Sequence, residues 1–437
     1  MSKVFTVSIL GCGSRGLYTY GGAMFPQKDK FQIVSICDIS PKKVELAKNA
    51  FSLTDEQCFL DADEFLKEKR SDALVIATQD RDHVKMCIRA LELGYDILLE
   101  KPISPVEDEL YELLEANKKY NRKVIVCHVL RYAPAFLKMK ELIDSGAIGK
   151  IVCIDWIEQV AYWHQAHSFV RGAWRNDEET SPMIMAKCCH DLDLLQYYAD
   201  SKCKTIYSVG DVAFFNKANQ PEGAADRCAD CKYKNECVYS AERLYVEKRK
   251  KDFDWAFDKP DVDEDMRRQG WPFNVVDLTR PITEESIRKS YESNQYGRCV
   301  FACDNNVVDH QQTSMIFENG IKANLTMTAF TALPGRKITF HGTLGEVEID
   351  EEFGYIRFSR YGHGTQMLQI KDIVSAKMKD TFGHGGGDYM MVQDFYKMLC
   401  GEAELGTTLD RSIESHLMAL AAEKSRKTGE VCSVHKE

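Results

Sequence analysis

The sequence predicts an α/β fold whose first part is a doubly wound parallel sheet, and three observations lead there. Short apolar runs rich in Val, Ile and Leu recur up to residue 127, each reading as a strand buried on both faces. Helix-length segments with mixed polarity separate them, so strand and helix alternate along the chain. A glycine-rich turn stands between the first strand and the segment that follows it.

Strands are expected at Val4–Leu10, Ile33–Cys37, Ala73–Ala77, Asp96–Leu99 and Lys123–Cys127, and helices at Pro41–Phe51, Asp82–Leu93 and Val106–Tyr120. Glu107, Asp108 and Glu109 fall in the first turn of the third helix, where the helix dipole favours acid. Repeated βα units of this kind demand right-handed crossovers. At 437 residues the chain exceeds what one core supports, so two domains are expected: 1–128, and 129–437 with a cysteine-containing insert near 216–300.

The composition, 44% hydrophobic and 28% charged, is that of a globular protein. No apolar run is long enough for a membrane-spanning helix. The start, Met1-Ser2-Lys3, leads straight into a strand that the fold needs, so no signal peptide is expected. Most cysteines stand singly in apolar stretches (Cys37, Cys87, Cys127, Cys153), which points to reduced core thiols and a cytoplasmic location. A net charge of −10 argues against a nucleic-acid partner.

Gly11-Cys12-Gly13-Ser14-Arg15-Gly16 follows strand one, and Asp38 closes strand two. In that context the glycines form a dinucleotide-binding fingerprint. Gly11 allows the tight turn, Gly13 lets the backbone approach a pyrophosphate, and Gly16 allows close packing of helix on sheet. Ser14 and Arg15 lie at the helix start, whose N–H groups receive phosphates. Asp38 accepts the ribose hydroxyls and repels a 2′-phosphate, selecting NAD over NADP. Thr78, Gln79 and His83, at and after the end of the next strand, are placed along the cofactor. The strand that ends in Glu100-Lys101-Pro102 puts Lys101 in the ligand crevice, where its ammonium hydrogen-bonds a substrate hydroxyl and eases its deprotonation.

These features resemble the glucose–fructose oxidoreductase and inositol dehydrogenase family (Gfo/Idh/MocA). The resemblance rests on the glycine turn, Glu100-Lys101-Pro102, Arg131-Tyr132-Ala133-Pro134, the segment 142–149, Cys189-His190-Asp191-Leu192-Asp193 and Gly342-Thr343-Leu344-Gly345-Glu346. It implies a C-terminal α/β domain on an open, mostly antiparallel sheet, and a homo-oligomer formed through that sheet. It also implies hydride transfer between NAD and a hydroxyl-bearing carbon of a sugar or cyclitol, with Lys101 and His190 at the family's lysine and histidine positions. Many members place Asp four residues before that histidine. Here the residue is Ala186.

In the second half, residues 181–195 read as one helix on which Lys187, His190 and Asp191 share a face. His190 is the expected general base or acid, with Lys187 as a further catalytic candidate and Asp191 as a substrate-binding one. Upstream, His164, His167, Arg171 and Trp174 are interleaved with aromatics, a composition that suits either a sugar site or a loop with buried anchors. His310 is expected on a strand face, towards substrate or not.

Cys228-x2-Cys231-x5-Cys237 lies in a polar segment and reads as a structural zinc site, as an iron–sulfur site, or as free thiols. Cys303 or Cys299 supplies the fourth ligand. The nearby charge run, 248–251 then 261–265, reads as a solvated face. Two chemistries remain open: net oxidation of a carbohydrate hydroxyl, or glycoside cleavage through transient 3-keto oxidation with no net redox change.

Overall fold

The structure is a computed structural model that describes residues 3–249, 269–374, 383–402 and 407–435. Part of the charge run, 250–251 and 261–265, lies outside the described residues. The chain forms two compact units. The first is not a single stretch, because residues 1–137 are joined by 192–194 and 376–417.

The first unit holds six strands: β1 (Phe5–Leu10), β2 (Phe31–Cys37), β3 (Cys58–Phe59), β4 (Ala73–Ile76), β5 (Asp96–Leu99) and β6 (Val124–Val126). They run in the order β3-β2-β1-β4-β5-β6, and every pairing is parallel. All four residues of β4 are buried, as continuous apolar composition requires of a central parallel strand. The order reverses between β1 and β4, which opens a crevice at their carboxyl ends. Helix Pro41–Phe51 agrees with the sequence reading, and the two-residue β3 was not anticipated.

The unit recruits late sequence because its core needs cover. Met391, Val392, Phe395 and Met398, from helix Gly387–Leu399, belong to the same apolar cluster as Val7, Ile9 and Phe31. Arg131 makes a two-pronged pair with Asp193 inside this unit, Nε to Oδ2 at 2.6 Å and Nη2 to Oδ1 at 2.7 Å. Both side chains are buried.

The second unit is built on a nine-stranded sheet: β7 (Ile151–Gln159), β8 (Cys203–Asp211), β9 (His310–Phe317), β10 (Lys322–Thr328), β11 (Gly335–Gly342), β12 (Gly345–Asp350), β13 (Tyr355–Arg360), β14 (Gly364–Gln369) and β15 (Cys432–Ser433). The order is β14-β13-β12-β11-β7-β10-β9-β8-β15, and only β7 with β10 is parallel. The fold class is therefore α/β, with a parallel sheet and a mostly antiparallel one. The insert has its own apolar core, in which Phe215, Leu244, Tyr245, Phe273, Tyr291 and Tyr296 pack with Trp163 and Val170.

Two readings need correction here. Residues 181–195 are not one helix: Met183–Ala186 and Cys189–Ala199 are separate, and Cys188 between them leaves helical geometry at φ −90°, ψ 6°. Lys187 and His190 therefore do not share one helical face. Lys248 is not on a solvated face but is 2% exposed, its ammonium 4.2 Å above the Trp163 ring. Burial drives its pKa down to about 6.

Replacing Arg131 with Met strands the Asp193 carboxylate in the interior, and we expect a loss of about 3–5 kcal/mol in urea unfolding. The double variant Arg131→Met/Asp193→Leu regains most of it. Equal losses in the single and double variants would show that the pair does not act as a unit.

Candidate functional site

The crevice of the first unit is shaped by its glycines. Gly11 has φ +97°, and a Cβ there would stand 2.3 Å from the carbonyl oxygen of Ala77, so only glycine fits. A Cβ on Gly16 would meet Gly11 O at 1.9 Å. Gly13 differs. Its backbone is extended (φ −74°), and a Cβ would meet nothing within 4 Å. The protein itself does not demand glycine at 13, whereas a ligand lying on the backbone does.

Asp38 sits at the end of β2, with Oδ2 accepting from Cys12 N–H and Oδ1 from Ser40 N–H, both at 2.8 Å. It braces the glycine turn and keeps lone pairs for a diol. At the end of β4 the hydroxyl of Thr78 is buried with no hydrogen-bond partner among the described residues, an orphaned group facing the same region of the sheet end. Gln79 is exposed beside it. His83 is buried, and its Nδ1 lies 2.7 Å from Pro102 O, fixing the turn after β5 against the helix His83–Glu92. These residues fit a dinucleotide: a glycine cradle, an acid for the ribose and an unsatisfied hydroxyl.

Arg15 was expected towards the cofactor. Its guanidinium ties three protein groups: Nε to Glu100 Oε1 at 2.5 Å, Nη2 to Asp388 Oδ1 at 2.8 Å, and Nη2 to the Tyr20 hydroxyl. Tyr20 also donates to Glu100, and Asp388 Oδ2 lies 3.0 Å from His384 Nδ1. Burial alone would raise both acids, yet Arg15 outweighs it and holds the Glu100 and Asp388 carboxyls below the usual range. Glu100 is thus an anion engaged within the protein, and its Oε2 accepts the Lys101 N–H at 3.0 Å. Lys101 is half-buried next to it.

Two histidines near Lys101 escaped the sequence reading. His416 Nε2 accepts the Ile103 N–H at 2.8 Å while Nδ1 donates to Ser412 O at 2.8 Å, which fixes a neutral ring. Burial and the neighbouring His128 push its pKa down to about 3. Burial, then Arg131 and Lys101, push His128 well below the usual range.

In the second unit, His190 is buried in the first turn of helix Cys189–Ala199. Lys187 forms an ion pair with buried Glu158 at 2.8 Å, and Glu158 also pairs with Arg336 at 2.9 Å. Asp191 accepts from Arg336 Nε at 2.7 Å and from Trp156 Nε1 at 2.8 Å. Arg336 and Glu158 are direct partners across β11 and β7. Burial pushes the Glu158 carboxyl up, against the pull of Arg336. Glu158 and Arg336 were not anticipated, since they look like ordinary alternating polar positions of a strand.

The upstream residues divide. His167 and Arg171 are corrections: they are interior residues of the insert core and not substrate ligands. His167 stacks on Tyr296 at 4.9 Å, and burial, with Arg171, drives its pKa to about 3. The whole wide helical turn Gln165–Arg171 is buried, because the insert packs over it. His164 is half-buried against Trp163 and Trp271, and Trp174 lies 6.5 Å from Phe169. His310 begins β9, with Nδ1 2.9 Å from Asp309.

Taken together, the parallel sheet, its glycine cradle and Asp38 define an NAD-binding Rossmann oxidoreductase fold. Residues 5–128 match the family model described as "Oxidoreductase family, NAD-binding Rossmann fold", and residues 136–241 match the GFO/IDH/MocA C-terminal domain. The chain belongs to the Gfo/Idh/MocA oxidoreductase family. It is similar to YteT of Bacillus subtilis, at 22% identity over 384 residues covering 84% of this chain and 82% of YteT. It is also similar to the inositol 2-dehydrogenase/D-chiro-inositol 3-dehydrogenase of Lactiplantibacillus plantarum, at 27% over 124 residues, 28% of this chain and 35% of that protein. Among solved structures, the WlbA dehydrogenase of Bordetella pertussis in complex with NADH and UDP-GlcNAcA superposes with a TM-score of 0.67 at 16% identity, covering 100% of this chain and 99% of WlbA.

Two outcomes follow from the site geometry. Gly13→Ala keeps the melting temperature of the parent, since its Cβ meets no protein atom, but weakens NAD binding at least about ten-fold in calorimetric titration. Gly16→Ala, by contrast, destabilises the fold itself. The neutral histidines set an acid limit: with folded values near 3 for His416 and His167, the unfolded chain binds more protons below about pH 6.5. Their stability contribution is complete above that pH and lost as pH falls, by up to about 1.4 kcal/mol per pH unit for each ring. His416→Gln should flatten the dependence of the urea midpoint on pH between about 7 and 5.

Proposed function

We propose that this chain oxidises a secondary hydroxyl of a sugar, sugar derivative or cyclitol, with NAD as hydride acceptor. The observation that carries this reading is the arrangement at the carboxyl ends of β1, β4 and β5. There a glycine cradle with room at Gly13 meets a strand end that presents Lys101 beside an anchored Glu100. The inositol substrate of the Lactiplantibacillus relative and the nucleotide sugar bound by WlbA support a polyhydroxylated substrate.

NAD supplies the hydride acceptor. Asp38 orients the ribose through the lone pairs that the turn leaves open. The Lys101 ammonium donates to the reacting hydroxyl and lowers the cost of its losing a proton, and His190 accepts that proton. Lys187, although one turn from His190 in sequence, is neutralised by Glu158 and serves to hold the buried charge cluster of the sheet. His164, Trp174 and His310 are read as substrate contacts. Any metal on the insert's cysteines takes no part in this chemistry.

The chain is read as a cytoplasmic homo-oligomer. None of its sixteen cysteines forms a disulfide, and Ile157, Tyr207, Val209 and Ile316 place apolar side chains on the exposed face of the nine-stranded sheet. Among the described residues no helix is long and apolar enough to cross a membrane.

The test is a spectrophotometric screen of inositols, sugars and nucleotide sugars with NAD. NADH accumulates with at least one of them, and Lys101→Ala lowers kcat by about a hundred-fold or more while NAD affinity holds. Unchanged kcat in that variant would overturn the assignment of Lys101. Release of nitrophenol from aryl glycosides without net NADH would replace net oxidation by redox-neutral glycoside cleavage.

A further inference from the structure

The insert's cysteines are gathered by backbone pairing. Arg227 and Arg298 form an antiparallel bridge. Cys228 N–H donates to Gly297 O and Cys299 N–H to Asp226 O, each at 2.8 Å, so the two cysteines become neighbours. Consecutive turns then curl the chain back: Lys234 N–H donates to Cys231 O at 3.1 Å, Cys237 N–H to Tyr233 O at 2.9 Å, and Ser240 N–H to Cys237 O at 3.0 Å. As a result Cys228, Cys231, Cys237 and Cys299 line one cavity. Cys303, favoured from sequence as the fourth ligand, does not line it, and its thiol donates to Cys299 O at 3.2 Å.

Arg171 lines the same cavity and is fully buried. Nε donates to Arg298 O at 2.6 Å, and Nη2 donates to Tyr239 O at 2.7 Å and approaches Cys228 Sγ at 3.5 Å. Nη1 is buried without a partner, and among the described residues no carboxylate forms an ion pair with Arg171. A buried cation requires a counter-charge. Neutral thiols provide none, whereas four thiolates around a dipositive zinc or a dipositive [4Fe–4S] core leave a double negative charge beside the guanidinium.

We propose that Cys228, Cys231, Cys237 and Cys299 ligate a metal centre as thiolates, with Arg171 as its counter-cation, and that this centre staples the insert. Binding of zinc, or transfer of a preassembled dipositive cluster, displaces one proton from each of the four thiols and changes no oxidation state. The C-x2-C start is shared by zinc and iron–sulfur sites. Among the described residues, only Asp211, Asp309 and His310 bring three ligand atoms within 4.8 Å of one another. No three of the four sulfurs therefore lie within 4.8 Å of one another, wider than the ligands of a single bound zinc with bonds of about 2.3 Å.

The proposal is independent of the dehydrogenase reading, because its readout is bound metal. The full chain is purified anaerobically without chelator, and iron, zinc and acid-labile sulfide are measured along with the visible spectrum. About four irons and four sulfides per chain with a broad visible band support a cluster, and about one zinc per chain with no band supports the mononuclear form. Cys299→Ser lowers the metal content at least about five-fold, whereas Cys303→Ser leaves it unchanged. In case the serine variants misfold, mercurial titration of the parent chain releases the metal in step with four thiols. Protein that carries neither metal as isolated, and takes up neither zinc nor iron with sulfide on reconstitution, overturns the proposal. So does metal lost from Cys303→Ser but kept by Cys299→Ser.

Discussion

The guanidinium of Arg15 is the point on which the coenzyme end of the first unit turns. It starts in the glycine-rich turn, and two of its nitrogens reach carboxylates from β5 and from helix Gly387–Leu399. Remove its charge, and Glu100 and Asp388 would face each other as desolvated anions beside the Tyr20 phenol, which at least one of them could not sustain. With it, the end of β5 is anchored, the Lys101 backbone is fixed by Glu100, and the late helix is clamped to the sheet that needs its apolar cover. Arg336 plays a comparable part in the second unit, where it compensates Glu158 on β7 and Asp191 in the helix Cys189–Ala199. In both units one arginine, shared between two acids, lets carboxylates stay inside.

The parallel sheet was legible because strands buried on both faces write themselves as unbroken apolar runs. Asp96–Leu99 and Pro41–Phe51 have the same bounds in sequence and structure. The glycine fingerprint was legible for a related reason: at Gly11 and Gly16 steric exclusion by local backbone leaves one residue type. The break at Cys188 was hidden because Lys187, His190 and Asp191 are spaced as one continuous helix would space them, and neither Gly nor Pro marks the interruption. The nine-stranded sheet came from family resemblance, since its central parallel pair, β7 with β10, joins segments far apart in the chain.

The misread residues share one cause. Aromatic rings interleaved with His and Arg describe a sugar pocket and a polar-threaded core equally well. What decides for His167 and Arg171 is Tyr245, Tyr296 and Arg298, which lie beyond any local window. The part played by the Arg15 side chain was hidden in the same way, because Glu100 and Asp388 meet it only in three dimensions. The choice between Cys299 and Cys303 likewise depends on a single backbone bond to Asp226.

Asp38 has a consequence for redesigning coenzyme preference. The usual route to a phosphorylated dinucleotide removes the acid that repels the extra phosphate. Here the same carboxylate also caps the amide of Cys12 in the glycine turn and the amide of Ser40 just before the next helix. A neutral substitute that opened space for the phosphate would slacken the cradle meant to receive it. Electrostatic selectivity and loop rigidity are vested in one side chain, so the two properties cannot be retuned separately at that position.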